Sequence, residues 1–224
     1  MNLAKSFDFF NPEEVDETIY ILGCGATGSV LAEMLARLGL EDICLYDFDE
    51  VEEKNIANQM FRQKDVGRKK TDAVLDIMAE INPELNDTVE IHGKFEPGDH
   101  LEGYVFLCVD NIELRKEIVE SCNNNSMVKA IFDFRIGLTD AQHYAADWTI
   151  LKDRKRLLST MQFTHEEANN DTPVSMCNEV MSVAPTNRTI VAFGVANFMN
   201  LVQNKPLKRT MFVDAFNFTI EAYE

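Results

Sequence analysis

Gly23, Gly25 and Gly28 form a Gly-x-Gly-x-x-Gly turn, and Asp47 closes the next apolar run along the chain. Glycines at that spacing let the backbone turn tightly and bring its amides close to a phosphate. A helix opening on the last of them adds unpaired N–H groups and a favourable dipole. A carboxylate at the end of the following strand can accept hydrogen bonds from ribose hydroxyls. Together these four residues could hold a nucleotide, and both NAD and ATP are compatible with them. The alternative is that the glycines serve only a tight turn and the packing of helix on strand.

Such a loop needs a strand before it and a helix after it. Residues 18–22 are a short apolar run, residues 29–38 carry apolar side chains at helical spacing, and Gly39 stands where a helix-terminating glycine is expected. Residues 43–46 are a second strand, closed by Asp47 and Asp49. This order is a βαβ unit and implies a parallel sheet. Downstream, residues 51–67 read as a polar loop or a short helical excursion, and residues 69–81 as a helix ending at Asn82-Pro83. Strands are expected over 88–92, 104–109 and 127–134, with a helix over 112–122. The alternation then changes to an antiparallel strand (142–151), a charged excursion (153–173), a helix (187–202) and one or two strands within 211–223. The expected class is α/β: a Rossmann-like, mainly parallel sheet flanked by helices, with antiparallel strands in the C-terminal part. The expected organisation is an arm over residues 1–17, a nucleotide-binding core over 18–137 and an extension over 138–224 that belongs to the same domain.

Composition narrows the partners. The 224 residues carry 38 acids against 21 bases, a formal charge of −17, and a field of that sign repels nucleic-acid backbones. No stretch approaches the roughly 18 apolar residues of a membrane span, and residues 1–16 lack the apolar run of a signal peptide. No membrane association and a cytoplasmic location are therefore expected. Cys24, Cys44, Cys108, Cys122 and Cys177 include no Cys-x-x-Cys pair, so neither a structural zinc site nor a disulfide framework is expected, and no zinc is expected. Cys24, Cys44 and Cys108 sit in apolar runs and read as small buried residues. His92, His100 and His143 are isolated, without ligand spacing, and His165 and Glu166 read as surface residues.

Further motifs separate the two nucleotides. Asp47, Asp49 and Val51, then Asn55, then Asn58-Gln59, resemble the D-x-D-x-V…N…R-Q signature of the ThiF/MoeB and ubiquitin-activating superfamily. Val66-Gly67 followed by Lys70 is similar to that family's G-x-x-K, and Asn82-Pro83 to the end of its next helix. Asp110-Asn111 with Arg115 resembles its D-N-x-x-x-R, and Asp133, Arg135 and Gly137 the D-x-R-x-G of a compact, zinc-free bacterial and phage-type subset. The motifs occur in order from Tyr20 onward.

The resemblance implies an ATP-dependent adenylyltransferase that activates the C-terminal carboxylate of a small ubiquitin-like or sulfur-carrier protein with a Gly-rich tail, or of a peptide. It implies that Gly23, Gly25 and Gly28 line the phosphates and Asp47 the ribose, with Asp49 beside it. Asn55 and Lys70 would contact phosphate oxygens, Gln59 would support that loop, and Asp110 would hold Mg2+. Asn58 and Asn111 fall in the same binding group, and Arg115 is either structural or solvated. Cys177, in a loop resembling the family's cysteine-bearing loop, is a candidate thioester or persulfide former, or else a packing cysteine. A homodimer is the family's usual assembly. One departure matters: Asn58 stands where the family has arginine, leaving Arg62, Arg68 and Arg135 as candidate substitutes. A catalytically weak or inactive partner subunit, an NAD-dependent oxidoreductase and a tRNA-modifying relative are the competing functions.

Overall fold

The computed structural model describes residues 1–96, 98–164, 166–167, 173–177 and 180–224. His165 lies outside them. The strands are β1 (Ile19–Leu22), β2 (Ile43–Tyr46), β3 (Glu90–His92), β4 (Gly103–Leu107), β5 (Val128–Ile136), β6 (Asp140–Asp147), β7 (Thr210–Asp214) and β8 (Thr219–Tyr223). They form one sheet in the order β3-β2-β1-β4-β5-β6-β7-β8. The pairings from β3 through β5 are parallel, and those from β5 to β8 antiparallel. The α/β class and the switch to antiparallel pairing after the fifth strand are as expected.

Alternate residues of each central strand serve two apolar layers, which explains why β1 and β2 are buried along their whole length. Ile19, Ile21, Ile43 and Leu45 pack under α1 (Ala26–Arg37), α2 (Lys70–Ile81) and the long C-terminal helix that follows residue 183. Tyr20, Leu22, Cys44 and Tyr46 face the other way, in a layer that includes Ile118 and Val119 of α4 (Ile112–Ser121) and Leu157 of α5 (Leu151–Ser159). A four-residue helix, α3 (Leu85–Thr88), occupies the start of the strand expected over 88–92 and shortens β3 to three residues.

The larger departure is α5, where a charged excursion is expected. Its segment is held by polar contacts that apolar periodicity does not reveal. Asp153 is buried and accepts two bonds from Nε of Arg209, at 2.8 and 2.9 Å, while Arg156 donates to the Ala145 carbonyl at 2.8 Å. The last helix, α6 (Ala184–Val202), starts three residues before its expected position. Gly194 within it is required by close approach, because a Cβ there would lie 2.2 Å from the Phe134 ring. Residues 1–17 dock against the ends of α1 and α6: Leu3 meets Gly39, Phe10 is buried, and the amide of Gln203 donates to the Phe9 carbonyl. Among the described residues, no helix is long and apolar enough to cross a membrane.

His143 sits fully buried between β5 and α6. Its Nδ1–H donates to the Asp133 carbonyl at 3.1 Å, and its Nε2 faces the Asn197 amide nitrogen at 3.3 Å. The Asn197 amide is oriented by accepting from Lys208 N at 2.8 Å, so the imidazole has no acceptor for a second proton. Burial pushes its pKa down to about 4. An unfolded histidine titrates near 6.5, so below that pH the unfolded chain takes up a proton that the fold refuses. The stability that the neutral ring contributes is therefore complete above about pH 6.5. It should fall by roughly 3 kcal/mol as pH drops toward 4. Urea midpoints measured across this window should fall more steeply for the native chain than for His143→Gln, and equal slopes would refute the assignment.

Candidate functional site

The strand order reverses between β1 and β4, which run parallel, and the ends of those strands open the crevice where open α/β sheets bind ligands. The glycine loop leaves β1 there. Gly23 has φ +99°, and a Cβ on it would come within 2.8 Å of the Cys108 backbone, so this glycine is demanded by the turn and by β4. Gly28 is demanded by packing, since its Cβ would overlap the Gly23 carbonyl at 1.8 Å. Gly25 differs from both: it is the N-cap of α1, provides no side-chain cap, and a Cβ on it would meet nothing within 4 Å. Among the described residues no side chain caps the N-terminus of α1, and the space beside the Gly25 Cα is open, an arrangement that suits an anion.

The loop is pinned from two sides. One Asp47 oxygen accepts from Cys24 N at 2.7 Å and the other from Asp49 N at 2.8 Å. Burial raises the Asp47 pKa, while these two backbone bonds and the nearby Lys70 charge oppose the rise. Lys70 is 8% exposed at the first turn of α2, with its Nζ 2.7 Å from Asp49 Oδ2. Asp49 therefore holds the ammonium beside the loop. On the other side, the Asn187 amide donates to the Ala26 carbonyl at 2.6 Å and its oxygen accepts from Thr27 Oγ1 at 3.2 Å. Asn187 is completely buried and clamps the first turn of α1 from 160 residues away. Sequence reading missed it, because nothing local marks an asparagine in the first turn of an apolar helix.

The segment between β2 and α2 forms two 3-10 turns, Glu53–Ala57 and Gln63–Asp65. Asn55 is buried and caps the first, its Oδ1 accepting from Glu52 N at 2.9 Å. Met60 N donates to Ser29 Oγ at 3.2 Å and ties this segment to α1. Between them, Gln59 presents a buried Oε1 that has no hydrogen-bond partner among the described residues. Such an atom is costly unless something completes it. Beyond β4, Asp110 is exposed at the crevice, three residues past the β4 end that Gly23 touches. Asn111 has its Oδ1 occupied as the N-cap of α4, accepting from Leu114 N at 2.8 Å, so its carbonyl oxygen positions the helix.

The three arginines expected to substitute at Asn58 are all engaged elsewhere. Arg62 makes a two-pronged bond to Glu80, at 2.9 and 2.8 Å. Arg68 binds Asp76 at 2.6 Å and Asp65 at 3.4 Å. Arg135 binds Asp133 at 2.7 Å and Thr160, and lies over the Tyr144 ring. Arg115 is paired with the same Asp133 carboxylate and is buried, which settles it as structural. The guanidinium that does reach the segment is Arg188, in the second turn of α6, exposed and 3.6 Å from the Met60 sulfur. It forms no ion pair among the described residues. Cys177 is exposed in a turn before α6, where its N donates to Ser175 Oγ at 3.3 Å. Cys24, Cys44 and Cys122 are buried and Cys108 is half-buried, with thiols that burial pushes well above the ordinary range.

The architecture and the chain both have known counterparts. Escherichia coli MccB, solved with ATP, superposes with a TM-score of 0.75 at 17% identity, covering 95% of this chain and 65% of that one. The same protein solved with AMPCPP and MccA gives 0.71 at 18% identity, again covering 95% and 65%. Ubiquitin-like modifier-activating enzyme 5 of Arabidopsis thaliana is 36% identical over 135 residues, 50% of this chain and 31% of that protein. Its Caenorhabditis briggsae counterpart is 30% identical over 130 residues, 50% of this chain and 30% of that one. This chain thus spans about a third of the length of the curated relatives it matches. The sequence pattern that defines the ThiF family matches residues 15–224, nearly the whole chain, and the protein belongs to that family.

Proposed function

We propose that this protein is an ATP-dependent adenylyltransferase that converts the C-terminal carboxylate of a small ubiquitin-like or sulfur-carrier protein, or of a peptide, into an acyl-adenylate. The observation that carries this reading is the N-terminus of α1 at Gly25, which among the described residues has no side-chain cap, opens on free space and adjoins a loop that the Lys70 charge reaches. In the reaction a carboxylate oxygen bonds to the α-phosphorus while the bond to pyrophosphate breaks. Gly25 and the amides after it hold the phosphates, and Asp47 holds the ribose through its remaining acceptor capacity. Lys70, released from Asp49, and Asn55 bear on phosphate oxygens, and the unpartnered Gln59 oxygen accepts a donor from the bound nucleotide. An exposed carboxylate suits a hard cation, so Asp110 would hold Mg2+, which when bound offsets charge on the reacting phosphates. Arg188 supplies the cation that Asn58 does not.

The names of the relatives support the substrate class, a ubiquitin-like modifier in one group and MccA in the other. An NAD-dependent oxidoreductase would leave Lys70 and Asp110 without a task. A homodimer in the cytoplasm is the assembly and place that fit this reading. The deciding experiment is pyrophosphate–ATP exchange with Mg-ATP and carriers ending in Gly-Gly. Carrier-dependent exchange supports the proposal. Tight ATP binding without exchange for any carrier points instead to a partner subunit that does not turn over, and absence of ATP binding refutes both.

Two substitutions sharpen the assignment. Gly25→Ala adds a methyl where the protein leaves room, so the melting temperature should hold while ATP affinity falls about tenfold or more, as calorimetry would read. An equal loss from Gly28→Ala would come with unfolding, because that methyl strikes the Gly23 carbonyl. Arg188→Ala should lower the exchange rate about a hundredfold while changing ATP affinity little. An unchanged rate would remove Arg188 from the reaction.

A further inference from the structure

Glu90 and His92, on the edge strand β3, stand beside Cys44 and Tyr46 of β2 in register. Because they are two apart in their strand, Glu90 and His92 project to the same face as Cys44 and Tyr46. Sequence spacing places Cys44 forty-six residues from Glu90, so the set is invisible until the strands pair. The Cys44 sulfur lies 3.7 Å from Glu90 Oε2, the same oxygen lies 3.4 Å from His92 Nε2, and the ligand atoms of all three are within 4.8 Å of one another.

We propose that Cys44, Glu90 and His92 form a binding site for a borderline-soft divalent ion of the zinc class, with three protein ligands and a fourth position open to water. A tetrahedral ion with bonds of about 2.3 Å to sulfur and about 2.0–2.1 Å to nitrogen and oxygen sets ligand atoms roughly 3.3–3.6 Å apart. Two of the three separations are already close to that, and the third, between Cys44 and His92, is within 4.8 Å. The ligand set of thiolate, imidazole and carboxylate suits zinc and disfavours magnesium or calcium. Stacking on Tyr46, with ring centres 4.4 Å apart and planes 9° apart, limits the imidazole's freedom. The Glu90 side chain is 71% exposed and that of His92 39%, which gives an ion a path from solvent.

The surroundings are negative: Asp42 and Glu102 act on Cys44, and Asp99 acts on the neighbouring Tyr46. Burial and then the Glu90 charge push the Cys44 thiol up to about 12. A bound cation would reverse the electrostatic part of that shift, the thiol proton leaving to solvent as the sulfur–metal bond forms. The ion would staple a three-residue edge strand to its only sheet neighbour. Because the His92 carbonyl accepts from Asp47 N at 3.4 Å, the staple adjoins the nucleotide-loop anchor without sharing a residue with it.

The test is titration of the metal-free full chain with Co2+, read by thiolate-to-cobalt charge transfer in the near ultraviolet, with Zn2+ as competitor. Native chain and Cys177→Ser should both develop the band, saturating at one ion per chain and bleached by Zn2+. Cys44→Ser should lose the band, while Glu90→Gln and His92→Ala should bind Co2+ at least about tenfold more weakly. Glu90 and His92 lie toward solvent, so these two variants test the site even if Cys44→Ser misfolds. No band in the native chain, a band that survives Cys44→Ser, or full affinity in both Glu90→Gln and His92→Ala would overturn the assignment.

Discussion

Asp110→Ala is expected to reduce carrier-dependent pyrophosphate–ATP exchange by roughly 10²–10³-fold while leaving the melting temperature nearly unchanged. The two halves of that expectation have separate causes. Asp110 is exposed at the open end of β4, so deleting its carboxylate removes no packing and strands no buried partner. On the proposed assignment the loss is of negative charge where Mg2+ and the reacting phosphates would meet, which would matter most when charge moves in the transition state. ATP affinity alone should fall less than the exchange rate, because on the same assignment the α1 amides and Lys70 would still hold the triphosphate. Asp110→Asn should retain part of the rate, since it keeps an oxygen ligand at reduced charge. A variant that exchanges at the native rate would place the metal-binding carboxylate elsewhere and remove Asp110 from the mechanism.

The contrast between Gly25 and Gly28 shows what the sequence could and could not say. The motif placed both on a phosphate loop, yet only the folded backbone separates a glycine required by its neighbours from one that the protein leaves open. The strand–loop–helix order was legible because apolar runs and glycine stops are local signals, and the same holds for α2 and α4. The α5 helix was not, because a buried Asp153–Arg209 pair, 56 residues apart in the chain, substitutes for apolar periodicity. The site divides the same way. Asp47, Lys70 and Asp110 follow strand ends or open a helix at motif spacing. Asn187 is brought to the glycine loop, and Arg188 to the segment between β2 and α2, only by α6 crossing α1. His92 read as an isolated histidine, and only strand pairing brings it to Glu90 and Cys44.

That crossing also bears on the missing arginine. Asn58 left a gap in the family's pattern, and the three arginines first considered for it, Arg62, Arg68 and Arg135, pair with Glu80, Asp76 and Asp133. Arg188 reaches the same segment from the far end of the chain, and among the described residues its one hydrogen-bond partner is the Met60 thioether. A guanidinium so placed is free to turn toward an arriving phosphate without first breaking a strong pair, and it therefore costs little to recruit. Coupling can be measured by a double-mutant cycle. If Arg188 replaces the absent cation, Asn58→Arg should rescue part of the Arg188→Ala loss.

The largest effect on stability is expected at Asp133, which is completely buried in β5 and receives two guanidiniums. Arg115 approaches one carboxylate oxygen from α4, and Arg135 holds the other at 2.7–2.8 Å from within β5. Arg115 is 6% exposed, so without the carboxylate its charge has neither water nor a partner. Breaking a buried pair by removing one member typically costs about 3–5 kcal/mol, more than the pair adds over an apolar replacement. Asp133→Asn preserves the shape and the main-chain carbonyl that His143 uses, and removes only the charge. Its urea midpoint should fall by an amount equivalent to about 3–5 kcal/mol at unchanged m, and its melting temperature by roughly 6–20 °C for a chain of this size. Arg135 loses less, because Thr160 and the Tyr144 ring still receive it. The cost should therefore sit mainly on Arg115, and adding Arg115→Met to Asp133→Asn should recover a substantial part of the stability. A loss below about 1 kcal/mol in the single variant, or no recovery in the double, would mean that water or a rearranged side chain already meets the charge and that the pair does not clamp α4 to the sheet.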